Sequence, residues 1–502
     1  MKSVWIKLHK IGDALHLPDL PRWLCGLLAL VLILRVPSFF EPYFYGDEMV
    51  YLTLGQGIRQ GVPLYSGLHD NKPPLLYLAA AAAGSLFWFK VILAFWSVVT
   101  IVFFWKLARV LFKNNSPAQI VSTIIFSLLT TLPLLEGNIV NAELFMIGPS
   151  ILAFYFLLGE NLNPKKIFLS GLLFGISALF KVPALFEVPV IIFYWLIAKP
   201  SGSFRGIVKN SLLLITGFLM PVLLTAIWYF LAGTLSDYVK ATFLQNIGYL
   251  SSFRPGDVQK SFLVRNAPLL GRGAAVLAGL AVVYISRKRL SNRFIFLCIW
   301  TLFVLFAITL SERPYPHYLI QVVAPVSFFL ATFFMEKSLE QSLTVLPLTL
   351  TFLIPVLYKY YFYPTSSYYL HFVNFAAQKI NRNEYFKGFS GTVVRNYEIS
   401  NFLATSSKPG DKVFMWDPDS PIVYALSRKL PPIKYTVPYH VNDYSDRGTV
   451  ADQLNSSLPK FIILTSRNPF PEIAPLLSDR YLLIQQIGNA DIYSRIDFAE
   501  AK

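Results

Sequence analysis

Long apolar runs alternate with short polar interruptions along the first 360 residues, and the interruptions carry nearly all the charge. Runs at about 23–36, 88–111, 117–135, 143–159, 167–180, 183–198, 211–232, 268–286, 294–310, 316–335 and 341–360 read as helices. Most approach the ~17–25 residues that a bilayer asks of a spanning helix, and several are short. Every second turn is basic: Lys106, Arg109 and Lys113; Lys165 and Lys166; Lys199, Arg205 and Lys209; Arg287, Lys288, Arg289 and Arg293. Basic turns stay in the cytoplasm, so the threading puts the N-terminus and these turns inside. Segment 74–87 is then a helix lying in the outer leaflet, because a full crossing would move every basic turn outside. Lys2, Lys7, Lys10 and Arg22 precede the first run and no small-residue cleavage site follows it, so that run predicts a signal anchor.

After the last run comes Tyr358-Lys359-Tyr360-Tyr361-Phe362-Tyr363, an aromatic belt suited to a membrane interface. Hydropathy then drops. Val413–Trp416, Phe461–Leu464 and Tyr481–Ile484 are short apolar runs bounded by Gly, Pro, Asp and Ser, which read as strands. Residues 385–406 read as helical. The pattern predicts an α-helical polytopic membrane protein, with about 11 transmembrane helices, followed by a C-terminal soluble α/β domain. The expected boundaries are a cytoplasmic segment 1–22, a transmembrane domain 23–363 and an extracytoplasmic domain 364–502.

Composition agrees with the class: hydrophobic residues are 55% of the chain and charged residues 14%. The net charge of +16 does not imply nucleic-acid binding, because the basic residues are spread over turns rather than gathered on one face. Cys25 and Cys298 both lie in apolar runs, so no disulfide framework or cysteine metal site follows.

Away from the basic turns and the run ends, charge in or between the runs is nearly absent, the exceptions being Arg35, Lys90, Lys181, Glu187, Arg272 and His317. The threading brings all of them near the non-cytoplasmic face, where charge next to hydrocarbon is costly and usually functional. They join a first external loop that carries Asp47-Glu48 and His69-Asp70-Asn71-Lys72-Pro73-Pro74. Asp47 opens an amphipathic, surface-lying helix, and an acid at a helix start is ordinary. A carboxylate and an ammonium in one membrane-facing loop also suit an anionic lipid, with Lys72 on a phosphate and Asp47 or Glu48 accepting a proton. Glu143 is explained alone as a helix cap, and Lys181, Arg313 and His317 as snorkelling side chains. Four external loops meeting at one depth are explained less well that way.

Tyr45-Gly46-Asp47-Glu48, then Gly61-Val62-Pro63-Leu64-Tyr65 and Asn71-Lys72-Pro73-Pro74-Leu75, resemble the first external loop of the protein O-mannosyltransferase-like, glycosyltransferase family 39, proteins. That family includes bacterial aminoarabinose transferases. Asn141-Ala142-Glu143-Leu144-Phe145, Leu179-Phe180-Lys181-Val182-Pro183 and Tyr315-Pro316-His317-Tyr318 sit where such proteins carry similar segments. The ordered set covers about residues 20–340. The resemblance implies a GT-C fold in the cell membrane, with the active site and C-terminal domain extracytoplasmic. It implies sugar transfer from a polyprenyl-phosphate-linked donor to a lipid, glycan or protein hydroxyl, with inversion. By the same resemblance Asp47 is the base, and Glu48 and Glu143 orient it or bind the acceptor. Phosphate is the leaving group, which assigns its stabilisation to Lys72, Lys181, Arg313 and His317, with Arg254 and Lys260 further away. A divalent metal is compatible but not required, since no tight Asp/His set is evident.

Two other readings stand beside this one. A transporter or flippase of a lipid-linked sugar also needs charge at membrane depth, but should show repeated halves, and none is visible. Asp417-Pro418-Asp419 matches the D-x-D pattern of nucleotide-sugar enzymes, yet it follows a predicted strand, where Asp and Pro commonly build turns.

Overall fold

The computed structural model describes residues 20–198, 202–248 and 260–496. Lys2, Lys7, Lys10, Lys199 and Arg254 lie outside the described residues, and with them most of the expected N-terminal segment.

Each expected apolar run holds a helix. Among the described residues, seven helices are long and apolar enough to cross a membrane, and the apolar helices Ser116–Leu129, Ala142–Leu158 and Val182–Ala198 are shorter. The protein is a multi-pass membrane protein. At the basic turns, short polar side chains start the next helix. Asn115, Asn163, Ser203 and Ser291 each accept a hydrogen bond from a backbone N–H in the first turn, satisfying a donor the helix leaves open. Before the Leu86–Leu111 helix begins, segment 74–87 holds the helix Leu75–Ala83, nine residues ended by Gly84 at φ +68°. That is too short to cross.

The runs and the helices differ in several places, and the helix expected at 211 begins at Phe204. The third helix stops at Leu129, because Thr130–Asn141 fold into a largely buried loop that holds one 3-10 turn, Pro133–Leu135, and Glu136 at φ +58°. The helix expected at 268 begins at Phe262 and contains Pro268. The last run breaks into Leu339–Leu343 and Val345–Leu357.

Packing follows small and flat side chains. Phe104 stacks between Phe126 and Phe328 at 4.1 and 4.5 Å. The Pro164–Phe180 and Phe204–Leu231 helices cross with almost no side chain between them. A Cβ on Gly171 would stand 2.1 Å from Leu214 O, and one on Gly217 2.2 Å from Phe168 O. Close crossing through small residues is how helices gain contact where lipid removes the hydrophobic drive.

The C-terminal part holds one four-stranded sheet, β1 (Val413–Trp416), β2 (Phe461–Thr465), β3 (Tyr481–Ile487) and β4 (Ala490–Arg495), in the order β1-β2-β4-β3. β1 and β2 are parallel and the other pairs antiparallel. The sequence pattern missed β4, whose Ala-Asp-Ile-Tyr-Ser-Arg carries too few apolar residues to stand out. Residues 385–406 divide into Arg382–Lys387 and Val393–Ser406.

This C-terminal part covers the Gly46–Arg59 helix, which is therefore not surface-lying: every residue from Glu48 to Gly57 is buried. Thr53 Oγ1 donates to Pro421 O at 3.2 Å and Gln56 Nε2 to Ala425 O at 2.8 Å. Further along, His69 N donates to Lys434 O at 2.8 Å.

Candidate active site

The site is assembled from helix starts and loop tips. Asp47 is in the first turn of the Gly46–Arg59 helix, and Tyr51, one turn on, donates its hydroxyl to Asp47 Oδ2 at 3.1 Å. Lys72 is fixed at its backbone. Its N–H donates to Tyr77 Oη at 3.1 Å, and its carbonyl accepts from Tyr65 Oη at 2.8 Å. Its ammonium then lies 3.7 Å from Asp47 Oδ2 and 3.8 Å from Asp70 Oδ2, over the Tyr51 ring. These are charge contacts longer than hydrogen bonds. Asp70 Oδ2 also accepts from Tyr77 Oη at 2.7 Å.

A second cluster faces the first. Glu143, in the first turn of Ala142–Leu158, pairs with Lys181, whose ammonium also sits 4.1 Å from the Tyr318 ring centre. His317 Nε2 is 3.8 Å from Glu143, and its Nδ1 meets Glu136. Glu136 is fully buried and accepts as well from Tyr45 Oη and Asn141 Nδ2, both at 3.0 Å. Three loops are thereby tied together around one carboxylate.

Asp47, Lys72, Glu143, Lys181, Arg313 and His317 all line one cavity of about 690 Å³, within the size range of pockets that hold small ligands. Glu48 does not join them. One position further round the helix, its carboxylate points away, accepts from Val140 N at 2.5 Å and pairs with Lys90 at 2.6 Å. Lys90 also holds Glu41 at 2.7 Å and Asn138 O at 2.8 Å. Arg35 braces the Thr130–Asn141 loop through Thr130 O and Gly137 O. Arg272 pairs with Glu312, and Glu187 accepts at 3.2 Å from Gln321, a residue of the cavity wall. The charged residues of the apolar runs thus divide between the site and its frame.

Charge settles the ionisation of the acids. Burial pushes Asp47 up, but Lys72 and His317 outweigh it and hold the carboxyl below its usual value. Asp70 is lowered against the same burial by Lys72 and His440. Both are carboxylates at neutral pH. Among the described residues no group of three or more His, Cys, Asp and Glu side chains is arranged to hold a metal ion, and between Asp47 and Asp70 the space is taken by the Lys72 ammonium. Asp417 and Asp419 face the Arg395 guanidinium, each at 3.3 Å, and Thr465 Oγ1 donates to Asp417 at 2.6 Å. The D-x-D segment is an internal ion pair.

Several site residues were given no role by the sequence pattern. Asp70 stood two places before Lys72 and Glu136 stood beside a glycine at the end of an apolar run, so both had weak signals. Tyr439, His440, Asp443 and Tyr444 also line the cavity and had none, because they lie in the C-terminal part.

No family model matches the chain, and no curated protein matches it in sequence. Solved structures do. ArnT from Cupriavidus metallidurans bound to undecaprenyl phosphate superposes with a TM-score of 0.58 at 13% identity, over 95% of this chain and 98% of that one. The apo state of the same protein gives 0.54 at 14% identity, over 94% and 98%. The chain therefore has the GT-C fold of these ArnT structures, a bundle of membrane helices followed by a small α/β part.

Proposed function

We propose that the cavity transfers a sugar from a polyprenyl-phosphate donor to an acceptor hydroxyl on the extracytoplasmic side of the membrane, with inversion at the anomeric carbon. One observation carries the reading: Asp47 and Lys72, an ionised acid and an ammonium 3.7 Å apart, open together onto a cavity lined on one side by membrane helices. Support comes from the fold, which is that of a protein whose structure contains undecaprenyl phosphate.

The chemistry follows from the charges. The acceptor oxygen attacks the anomeric carbon as the bond from that carbon to the phosphate oxygen breaks, and the phosphate leaves with the electron pair. Asp47 takes the hydroxyl proton, late in the step. Lys72, Lys181, Arg313 and His317 stabilise the charge growing on the phosphate. When Lys72 turns to the donor phosphate, its hold on Asp47 weakens and the carboxylate becomes the stronger base. Glu143 keeps Lys181 and His317 aimed at the phosphate. Glu48 acts through the frame, holding the helix that presents Asp47.

The test is release of undecaprenyl phosphate by the purified protein from undecaprenyl-phosphate-linked glucose, mannose, galactose and arabinose, with the cell-envelope glycan fraction supplied as acceptor. Asp47→Asn keeps size and polarity, and because Tyr45 rather than Asp47 holds the N-cap position, the change costs the helix only a first-turn charge–dipole interaction of about 0.3–1 kcal/mol. It should bind undecaprenyl phosphate like the parent and lose on the order of 10²–10⁴-fold in rate. A folded Asp47→Asn protein that turns over at the parental rate would sink the base assignment. Lys72→Ala should weaken undecaprenyl phosphate binding while the basic-turn change Lys288→Ala does not.

A further inference from the structure

The transferase reading leaves one wall of the cavity without a task. Tyr439, His440, Asp443 and Tyr444 of the Pro438–Tyr444 helix line the same cavity as Asp47 and Lys72. Tyr439 and Asp443 are one turn apart and so are neighbours on one helix face. Both are exposed, Tyr439 by 46%.

The rest of the helix is bolted to the loop that carries Lys72. His440 is buried with Nε2 3.6 Å from Asp70 Oδ1. His69 packs edge-on against His440 and Tyr444 at 5.7 and 5.2 Å between ring centres. Asn71 Nδ2 donates to Tyr444 Oη at 3.4 Å. Tyr439 in turn stands edge-on to His440 at 4.6 Å. The position of the Tyr439 ring relative to Lys72 is therefore preset.

Opposite chemistry comes from the membrane helices, which line the cavity with Met146, Phe186, Ala307 and Ile308. An isoprenoid chain suits that side. A half-exposed tyrosine ring with a carboxylate one turn away suits something else: a ring whose C–H face is apolar and whose edge is hydroxylated. We propose that Tyr439 and Asp443 form a saccharide subsite, with a sugar ring stacked on Tyr439 and a hydroxyl donating to Asp443. This rests on the transferase reading and adds the C-terminal part to the site as a specificity element. The ring belongs either to the donor or to a glycan acceptor, which the chemistry of the subsite fits equally.

The experiment measures binding of undecaprenyl phosphate, bare and carrying glucose, mannose, galactose or arabinose, to the full-length parent and to Tyr439→Ala, Tyr439→Phe and Asp443→Asn. It also measures the acceptor KM for transfer to the cell-envelope glycan fraction. If the ring is the donor's, Tyr439→Ala lowers the preference for a sugar-bearing lipid over the bare lipid about two- to tenfold. Tyr439→Phe keeps the preference, and Asp443→Asn loses part of it. If the ring is the acceptor's, the donor preference stays and Tyr439→Ala and Asp443→Asn raise the acceptor KM with kcat kept. Parental donor preference together with parental acceptor KM in both Tyr439→Ala and Asp443→Asn would overturn the subsite. Failure of the transferase reading shows elsewhere, as bare undecaprenyl phosphate binding that ignores Lys72→Ala.

Discussion

Asp47 and Glu48 are adjacent in sequence and do different work. A helix turns about 100° per residue, so one carboxylate enters the cavity and the other meets Lys90 behind it. Lys90 neutralises two buried acids, Glu41 and Glu48. Removing one partner of a buried pair typically costs about 3–5 kcal/mol, because it strands the other charge. Lys90→Met should therefore lower the melting temperature in detergent strongly, and Glu48→Gln on top of it should recover part of the loss; melting unchanged in Lys90→Met would show the pair to be dispensable. His69 makes a prediction about pH. Burial first, then the charge of His440, pushes its pKa down to about 3, so it folds neutral. The unfolded chain takes up this proton at about pH 6.5. Stability should fall as pH drops from about 6.5 towards 3, by up to about 1.4 kcal/mol per unit from this group. His69→Phe keeps a ring there and should flatten the acid limb of a melting-temperature profile. A slope unchanged by His69→Phe would assign the acid sensitivity to other groups, such as His440, which burial also lowers.

At the scale of elements, the Gly46–Arg59 helix is positioned by what it lacks. A Cβ on Gly55 would stand 2.6 Å from Ala81 N and 2.7 Å from Ala80 C. Backbone atoms cannot swing aside, so Gly55→Ala must push the helix off Leu75–Ala83. Overpacking of this kind costs about 1–3 kcal/mol. It also displaces Asp47 relative to Lys72, which lies in the loop that this contact closes. Gly55→Ala should lose transfer activity beyond its loss of folded protein, whereas Gly26→Ala, with open space around it, should match the parent in both. A Gly55→Ala protein with parental melting and turnover would show that the two helices can separate freely.

Across the whole molecule, the alternation of basic turns predicts that the N-terminus and those turns are cytoplasmic and the sheet-bearing part external. The exposed Ser406 and Lys288 are suitable positions to probe. With Cys25 and Cys298 replaced by serine, Ser406→Cys should react with an impermeant maleimide on intact cells, and Lys288→Cys only after permeabilisation. The reverse pattern would invert the orientation and move the proposed chemistry to the cytoplasmic side.

Helices, three of the four strands and the grouping of the charged loop tips around one cavity were legible in the sequence, because each rests on a local signal. Apolar length reports a span, alternating basic turns report its direction, and a bilayer brings every outer tip to one plane. That common plane is why Asp47, Lys72, Glu143, Lys181, Arg313 and His317 could be grouped before any contact was known. What each side chain touches was not legible. Whether Lys72 meets Asp47, whether Glu48 turns to Lys90, and whether Glu136 rather than Glu143 takes the Nδ1 of His317 depend on helix rotation and crossing, which packing decides. The C-terminal wall is the extreme case. Asn71 and Tyr444 meet across 373 positions of chain, and no periodicity in either segment refers to the other. The burial of the Gly46–Arg59 helix has the same origin: its polar face looked outward until a second layer, Pro421 to Ala425, supplied carbonyl acceptors for Thr53 and Gln56. Local order follows from the spacing of residues along the chain, while a site follows from which surfaces bury one another, and only the assembled fold determines that.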